Sequence, residues 1–243
     1  MRIVKVKTSQ GSLGKNIGTE LAPDLILADL KSDEAKIYEG NLEETNKSLE
    51  NVQGDLFVGG DHSITYPLFR AFAKDNKGKR IGLIIFDAHP DCVSNFLPPT
   101  HEDFVRVLIE EGSVRAENVL LVGLRKIDSI EKRFMKEKGV SFILSEELKN
   151  KKEMLKKITD FAGRFESFYL SLDIDVLDPK FAPGTGYPET GGINMKELVY
   201  FVSPLVKSKN LCRCDLVEAN PLKDFRRKTI KNAQRIVKII VEN

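Results

Sequence analysis

Short apolar runs rich in β-branched and aromatic residues recur along the chain, and helix-like segments separate several of them. The runs are RIVKV (2–6), DLFVGG (55–60), RIGLIIFDAH (80–89), NVLLVGL (118–124), VSFIL (140–144), SFYLSLDID (167–175) and CRCDLVEANP (212–221). The helix-like segments include ITYPLFRAFAKDN (64–76), HEDFVRVLIEEG (101–112), SIEKRFMKEKG (129–139) and KKEMLKKITDFAGRF (151–165). This alternation predicts a mainly parallel sheet covered by helices on both faces.

Length and composition are those of an ordinary globular protein. The 243 residues contain no repeat or linker, so we expect one domain over 1–243. A net charge of +2 indicates no polyanionic partner, and the basic segment 223–240 is interpreted as a helix with a solvated face rather than a nucleic-acid site. Three cysteines fit a reducing, cytoplasmic setting. The longest apolar run is far below the roughly 20 residues of a membrane span, so no membrane association is expected.

Four of the apolar runs are followed directly by acids or histidines. They lead into Gly59–His62, Asp87–Asp91, Asp173–Asp178 and Glu218–Pro221. Ligands of parallel α/β sheets bind beyond the carboxyl ends of the strands. The four segments therefore predict one functional site at that edge.

Side-chain alternation along a strand aims Asp87 and His89 at one side, and likewise Asp173 and Asp175. Pro90 ends strand pairing and lets Asp91 turn back. With His62 from the neighbouring turn, six candidate metal ligands converge: His62, Asp87, His89, Asp91, Asp173 and Asp175. So many carboxylates need cations, because like charges at close range raise one another's pKa. Oxygen and imidazole ligands without thiolate suit Mn²⁺, and the ligand count suits two ions.

Other polar residues near these motifs have more ordinary interpretations. Asp61 either fixes His62 or stabilises its turn, whereas Asp178 precedes a proline and is assigned to a turn or cap. Ser63 lacks a nucleophile elbow and is assigned to a helix start. Asp215 is interpreted as structural.

The motifs GGDHS (59–63), DAHPD (87–91) and SLDIDVLDPKFAPGTGYPETGG (171–192) resemble the metal motifs of the arginase/agmatinase (ureohydrolase) family. GSLGKNIGTELAPDLI (11–26) and CDLVEANP (214–221) extend the resemblance over nearly the whole chain. It implies a three-layer α/β/α fold with about eight strands and a homo-oligomer, a trimer or hexamer. It also implies two Mn²⁺ per chain, one held by His62, Asp87, Asp91 and Asp173 and the other by Asp87, His89, Asp173 and Asp175.

The resemblance further implies hydrolysis of a guanidinium group by a hydroxide lying between the ions, with urea and an amine as products. Asp91 would orient the hydroxide and pass a proton to the departing amine. Glu218 would pair with the guanidinium, and His101 would be a proton shuttle. The family usually has glycine after this histidine, but here Glu102 follows, and residues 100–112 equally fit a helix start with Thr100 as N-cap.

The motif wording favours agmatine as substrate, apart from Tyr187, and the loop 92–100 is short and rather apolar. Arginine, formiminoglutamate and guanidinobutyrate are the alternatives within the family. A zinc deacetylase-like hydrolase and a non-catalytic relative are the alternatives of other classes.

Overall fold

The computed structural model describes residues 1–243 and contains one eight-stranded sheet in which every pair of neighbours is parallel. The strands, β1 to β8 in chain order, are Ile3–Val6, Asp33–Glu34, Leu56–Gly59, Ile81–Phe86, Val119–Leu124, Ser141–Leu144, Ser167–Asp173 and Leu211–Val217. Their spatial order is β2-β1-β3-β8-β7-β4-β5-β6. The parallel sheet predicted from the strand–helix alternation is confirmed.

Seven of the eight α-helices connect consecutive strands, and the eighth follows β8. In chain order, α1 to α8 are Ala22–Ile26, Leu42–Leu49, Thr65–Asp75, Phe104–Glu110, Ser129–Lys138, Lys151–Ala162, Met195–Val206 and Lys228–Val241. No helix combines the length and the apolar character that a membrane crossing requires.

The core lies on both faces of the sheet because apolar side chains alternate along the strands. Within β4, Ile84 packs into one apolar cluster while Leu83 packs into the other. Helices α1, α6, α7 and α8 contribute to the first cluster, and α2, α3, α4 and α5 to the second. The three-layer α/β/α arrangement follows from this division.

The four strands with polar ends, β3, β8, β7 and β4, are consecutive at the centre of the sheet. Because all strands run in the same direction, their carboxyl ends lie side by side. The fold thus brings together the four segments that the sequence singles out.

Helix α4 begins later than the helix-start interpretation of residues 100–112 expects. It starts at Phe104, and Asp103 precedes it. Thr100 does not cap the helix; its amide and hydroxyl both donate to Asp103 Oδ1 at 2.7 Å. His101 therefore lies in a turn before the helix.

Candidate active site

The turn after β3 depends on Gly60 for close packing. A Cβ on Gly60 would lie 1.6 Å from the Thr8 carbonyl oxygen, so only glycine fits there. A short 3-10 helix, His62–Ile64, follows, and the Asp61 carboxylate accepts hydrogen bonds from the amides of Ser63 (3.0 Å) and Gly11 (3.1 Å). Asp61 stabilises this turn, and Ser63 belongs to the helix start.

The buried His62 ring is held from one side and faces carboxylates on the other. Its Nε2 is 2.9 Å from Ser171 Oγ, which donates to Asp215 Oδ1 at 2.6 Å. If Nε2 carries the proton and donates it to Ser171 Oγ, the lone pair of Nδ1 is free to bind a metal ion. That Nδ1 lies 3.1 Å from carboxylate oxygens of Asp87 and Asp91, and 3.2 Å from Asp173 Oδ2.

The residues after β4 converge through a turn rather than through continued strand alternation. Strand β4 ends at Phe86, and the His89 amide donates to Asp87 Oδ1 at 2.6 Å. Asp91 has a φ of 50°, a left-handed conformation that is uncommon outside glycine and returns the chain to the site. Asp87, His89 and Asp91 converge as expected, but a turn after β4 brings them together, not the alternation of side chains along the strand.

Asp173 and Asp175 are likewise placed by a turn. Asp173 ends β7, and its Oδ1 accepts from the Asp175 amide at 2.7 Å at the start of a 3-10 helix, Ile174–Val176. Asp175 Oδ1 accepts from the Ala88 amide at 3.0 Å, while its Oδ2 lies 3.0 Å from His89 Nδ1. Arg125 donates to the carbonyls of Asp175, Val176 and Leu177 and fixes this turn from behind.

The candidate ligands form two overlapping groups that could each hold a metal ion. His62, Asp87 and Asp91 form one, and Asp87, His89 and Asp175 form the other, with ligand atoms within 4.8 Å of one another in each group. Asp87 belongs to both, which is the position of a bridging ligand. Asp173 Oδ2 faces the first group through His62 Nδ1.

The chemistry of this donor set fits divalent cations. His62 Nδ1 and Asp87 Oδ2 are buried and have no hydrogen-bond partner, although they lie 3.1 Å apart. Burial and the charge of Asp87 raise the pKa of Asp91 to about 7. Burial and the neighbouring carboxylates also raise the pKa of Asp173 well above its usual range. A cation shared by these atoms relieves both the missing contacts and the repulsion.

Glu218 lies beside the candidate metal centre and is held by three neighbours. Its Oε1 accepts from the His62 amide (2.7 Å) and lies 3.1 Å from His101 Nδ1, while Asn16 Nδ2 donates to Oε2 at 2.5 Å. Its φ of 66° is left-handed. Burial disfavours charge on His101, but the carboxylates of Glu218, Asp61 and Asp91 together raise the pKa of His101 to about 9.

A pocket opens above these groups and is lined mainly by polar side chains. It includes five of the six candidate ligands, all but Asp87, together with His101 and Glu218. Further carboxylates on its wall are Glu102, Asp128 and Glu131, whereas Lys126 is its only lysine or arginine. The three sequence-predicted catalytic residues, Asp91, His101 and Glu218, therefore share one pocket.

A parallel α/β sheet with a buried cluster of carboxylates and imidazoles at its carboxyl edge defines a protein with a candidate binuclear metal centre. A family model described as the Arginase family matches residues 8–241. The chain belongs to the arginase family of hydrolases, the ureohydrolases, as the sequence motifs predict.

Relatives with different names match this chain. The arginase of Bacillus subtilis is 29% identical over 218 residues, which are 82% of this chain and 72% of that protein. The agmatinase of Bacillus subtilis is 35% identical over 193 residues, 78% of this chain and 63% of that protein. Both an arginase and an agmatinase match the chain, so these relatives do not decide whether it is more similar to agmatinase, as its motifs suggest.

Solved structures show the same fold. An arginase from Bacillus subtilis superposes with a TM-score of 0.86 at 23% identity, covering 100% of this chain and 98% of that one. A formimidoylglutamase from Bacillus subtilis subsp. subtilis superposes with a TM-score of 0.87 at 22% identity, covering 99% of this chain and 85% of that one. The three-layer fold with eight strands is thus confirmed.

Several residues that support the site carry no sequence signal of their own. Ser171 and Asp215 lie within strands, where a single hydroxyl or acid has no distinguishing pattern. Asn16 comes from a distant N-terminal loop and reaches Glu218 only in the folded chain. By contrast, Arg125 has a positional signal, because it directly follows the apolar strand β5.

Proposed function

We propose that the protein is a binuclear manganese hydrolase that cleaves the guanidino C–N bond of a small cationic guanidine, with agmatine giving putrescine and urea. The observation that carries this proposal is the pair of overlapping ligand groups joined by Asp87 at the base of a carboxylate-lined pocket. Arginase, formiminoglutamase and guanidinobutyrase activities are the alternatives in the same family.

His62, Asp87, His89, Asp91, Asp173 and Asp175 would hold two Mn²⁺ ions, which would supply a nucleophile at neutral pH by lowering the pKa of water to about 7. Asp91 Oδ2 lies 3.1 Å from His62 Nδ1, within one of the two candidate ligand groups, which supports a role for this carboxylate in orienting the nucleophile and accepting its proton. Glu218 pairs with the guanidinium, whose planar N–H groups match a carboxylate.

The proton balance is completed by Asp91 and His101. Hydrolysis breaks the bond between the guanidino carbon and the substrate amine, and that amine must gain a proton. Asp91 transfers the proton that it took from the nucleophile. Water loses one proton when it becomes the nucleophile, and the amine gains one more when it leaves as an ammonium. His101, which lines the same pocket with Nδ1 3.1 Å from Glu218 Oε1, would carry this second proton between the site and solvent.

The charge of the pocket favours a substrate without a carboxylate. Once two divalent ions are balanced by Asp87, Asp91, Asp173 and Asp175, the pocket still holds Glu102, Asp128, Glu131 and Glu218. Lys126 opposes them, and its Nζ lies 4.0 Å from Asp128 Oδ1. An excess of negative charge attracts cations and repels anions, which supports agmatine over guanidinobutyrate and formiminoglutamate.

A product-release screen tests the proposal directly. Manganese-loaded protein is incubated with agmatine, arginine, 4-guanidinobutyrate and N-formimidoylglutamate, and urea or formamide is measured. We expect urea from agmatine, and loss of at least roughly 100-fold in kcat on Asp91→Asn, because general acid–base groups contribute about 10²–10⁴-fold. No product from any of the four compounds would contradict the proposal. One zinc ion per chain would favour a deacetylase-like site instead.

We propose that residues 1–243 form a single domain, and that the protein acts as a cytoplasmic trimer or hexamer. Sedimentation equilibrium of the manganese-loaded protein measures the oligomeric state, and a monomer would contradict that part.

A further inference from the structure

Two residues at which the motifs depart from the family pattern, Glu102 and Tyr187, contact each other in the pocket. The Tyr187 hydroxyl donates to Glu102 Oε1 at 2.7 Å. Its ring packs at 5.8 Å from the His101 ring and at 5.9 Å from the His89 ring, measured between centroids. Tyr187 therefore lies against the candidate metal centre and fixes the direction of the Glu102 carboxylate.

The only ion-pair partner of Glu102 within the protein is the buried His101 ring. No lysine or arginine lies within ion-pairing distance, and the nearest basic atom is His101 Nε2 at 3.9 Å. That Nε2 is buried and has no hydrogen-bond partner. The Glu102 side chain is 33% exposed and lines the pocket, so its carboxylate is accessible to a bound molecule.

The pocket thus holds two carboxylates on opposite sides of one imidazole ring. Glu218 Oε1 lies 3.1 Å from His101 Nδ1, and Glu102 Oε1 lies 3.9 Å from His101 Nε2. Glu218 is buried beside the candidate metal ligands, whereas Glu102 is nearer to solvent. A molecule with one cationic group on Glu218 and a second on Glu102 would span this ring.

We propose that Glu102, oriented by Tyr187, binds the distal ammonium group of a dicationic guanidine and so determines substrate specificity. This inference rests on the proposed function and deepens it, because it names the residue that recognises the non-reacting end of the substrate. A carboxylate at the same end of the substrate would meet Glu102 as a like charge.

Binding of two small amines tests this inference without turnover. The affinities of manganese-loaded protein for 1,4-diaminobutane and butan-1-amine are measured by calorimetry, and their ratio reports the contribution of the second ammonium. We expect Glu102→Gln to lower that ratio roughly five- to tenfold, the range for a charge-assisted contact at a partly exposed group. Tyr187→Phe retains the ring and loses the hydroxyl, so it lowers the ratio by a smaller factor.

Glu110→Gln is the matched control. Glu110 has a side-chain exposure of 31%, similar to that of Glu102, but it pairs with Arg106 and lies outside the pocket. We expect this variant to leave the ratio at the wild-type value. An unchanged ratio in Glu102→Gln, or equal losses for both amines, would overturn the inference.

The outcomes separate this inference from the proposed function. If Glu102→Gln lowers the ratio but the wild-type protein releases no urea, the ammonium site stands and the reaction is wrong. If the wild type hydrolyses agmatine and the ratio does not respond to Glu102→Gln, the reaction stands and Glu102 has no role in recognition.

Discussion

Ser171 connects the candidate metal ligand His62 to a buried acid, and its removal is a sharp test of the site. Ser171 Oγ lies 2.9 Å from His62 Nε2 and donates to Asp215 Oδ1 at 2.6 Å. Asp215 Oδ2 accepts from Tyr169 Oη (2.6 Å) and Thr65 Oγ1 (2.7 Å). Ser171→Ala therefore removes the only support of the His62 ring nitrogen that faces away from the metal centre.

The size of the effect follows from these contacts. The substitution leaves the His62 Nε2–H buried without an acceptor, at a cost of about 1–3 kcal/mol. It also frees the ring to rotate and to adopt the other tautomer. Loss of such a partner typically lowers metal affinity by about 10–100-fold. The loss falls on the group containing His62, Asp87 and Asp91, whereas the group containing His89 keeps its contacts.

The assay is equilibrium titration of the metal-free protein with Mn²⁺, measured as bound ions per chain. We expect Ser171→Ala to retain one tight site and to weaken the other. Tyr169→Phe is the control, because it removes a different hydroxyl from Asp215 without touching His62, and it lowers folding stability but leaves Mn²⁺ affinity unchanged. Two wild-type sites in Ser171→Ala, or equal weakening in both variants, would refute the reasoning.

Three further predictions concern the support of the site and its charge. Asn16→Ala removes the donor to Glu218 Oε2 and should raise KM for a guanidine more than it lowers kcat, as steady-state kinetics will show. Arg125→Met removes the donors to the turn around Asp175 and should weaken the second manganese site, measured by the same titration. In the metal-free protein, burial and Asp87 raise the pKa of Asp91 to about 7, so the folded state retains a proton that the unfolded state has lost above about pH 4. The thermal midpoint of the metal-free protein should therefore fall as pH rises from 5 to 8, and added Mn²⁺ should reverse the fall. A midpoint that rises with pH would contradict the repulsion between Asp91 and Asp87.

The sequence predicts the sheet well because each strand is recognised from a short stretch of neighbouring residues. Most runs are short and largely apolar, and four of them, such as IGLIIF before Asp87, end directly in polar residues. Parallel strands bring such ends to one edge, so the segments that carry the six candidate ligands follow from position, whereas the turns that aim the side chains do not. The start of α4 was not predictable in this way, since Asp103 accepts from Thr100 and Phe96 instead of capping the helix.

The supporting contacts could not be predicted because they join distant segments. Asn16 and Glu218 are separated by 202 positions, and Ser171 and Asp215 by 44. A serine in a strand has no pattern that distinguishes a packed hydroxyl from one holding a metal ligand. Asp91 and Glu218 have left-handed backbone conformations that are unfavourable for these residues. The surrounding packing holds them in the folded protein, and the sequence does not show that packing.

The most direct test of the binuclear centre is the manganese content of the chain, measured on the same sample in which agmatine hydrolysis is followed. We predict two ions per chain at full loading, and urea release that disappears on chelation and returns with Mn²⁺. A single ion at saturation, or urea release that persists in chelated protein, would contradict the paired-cation site.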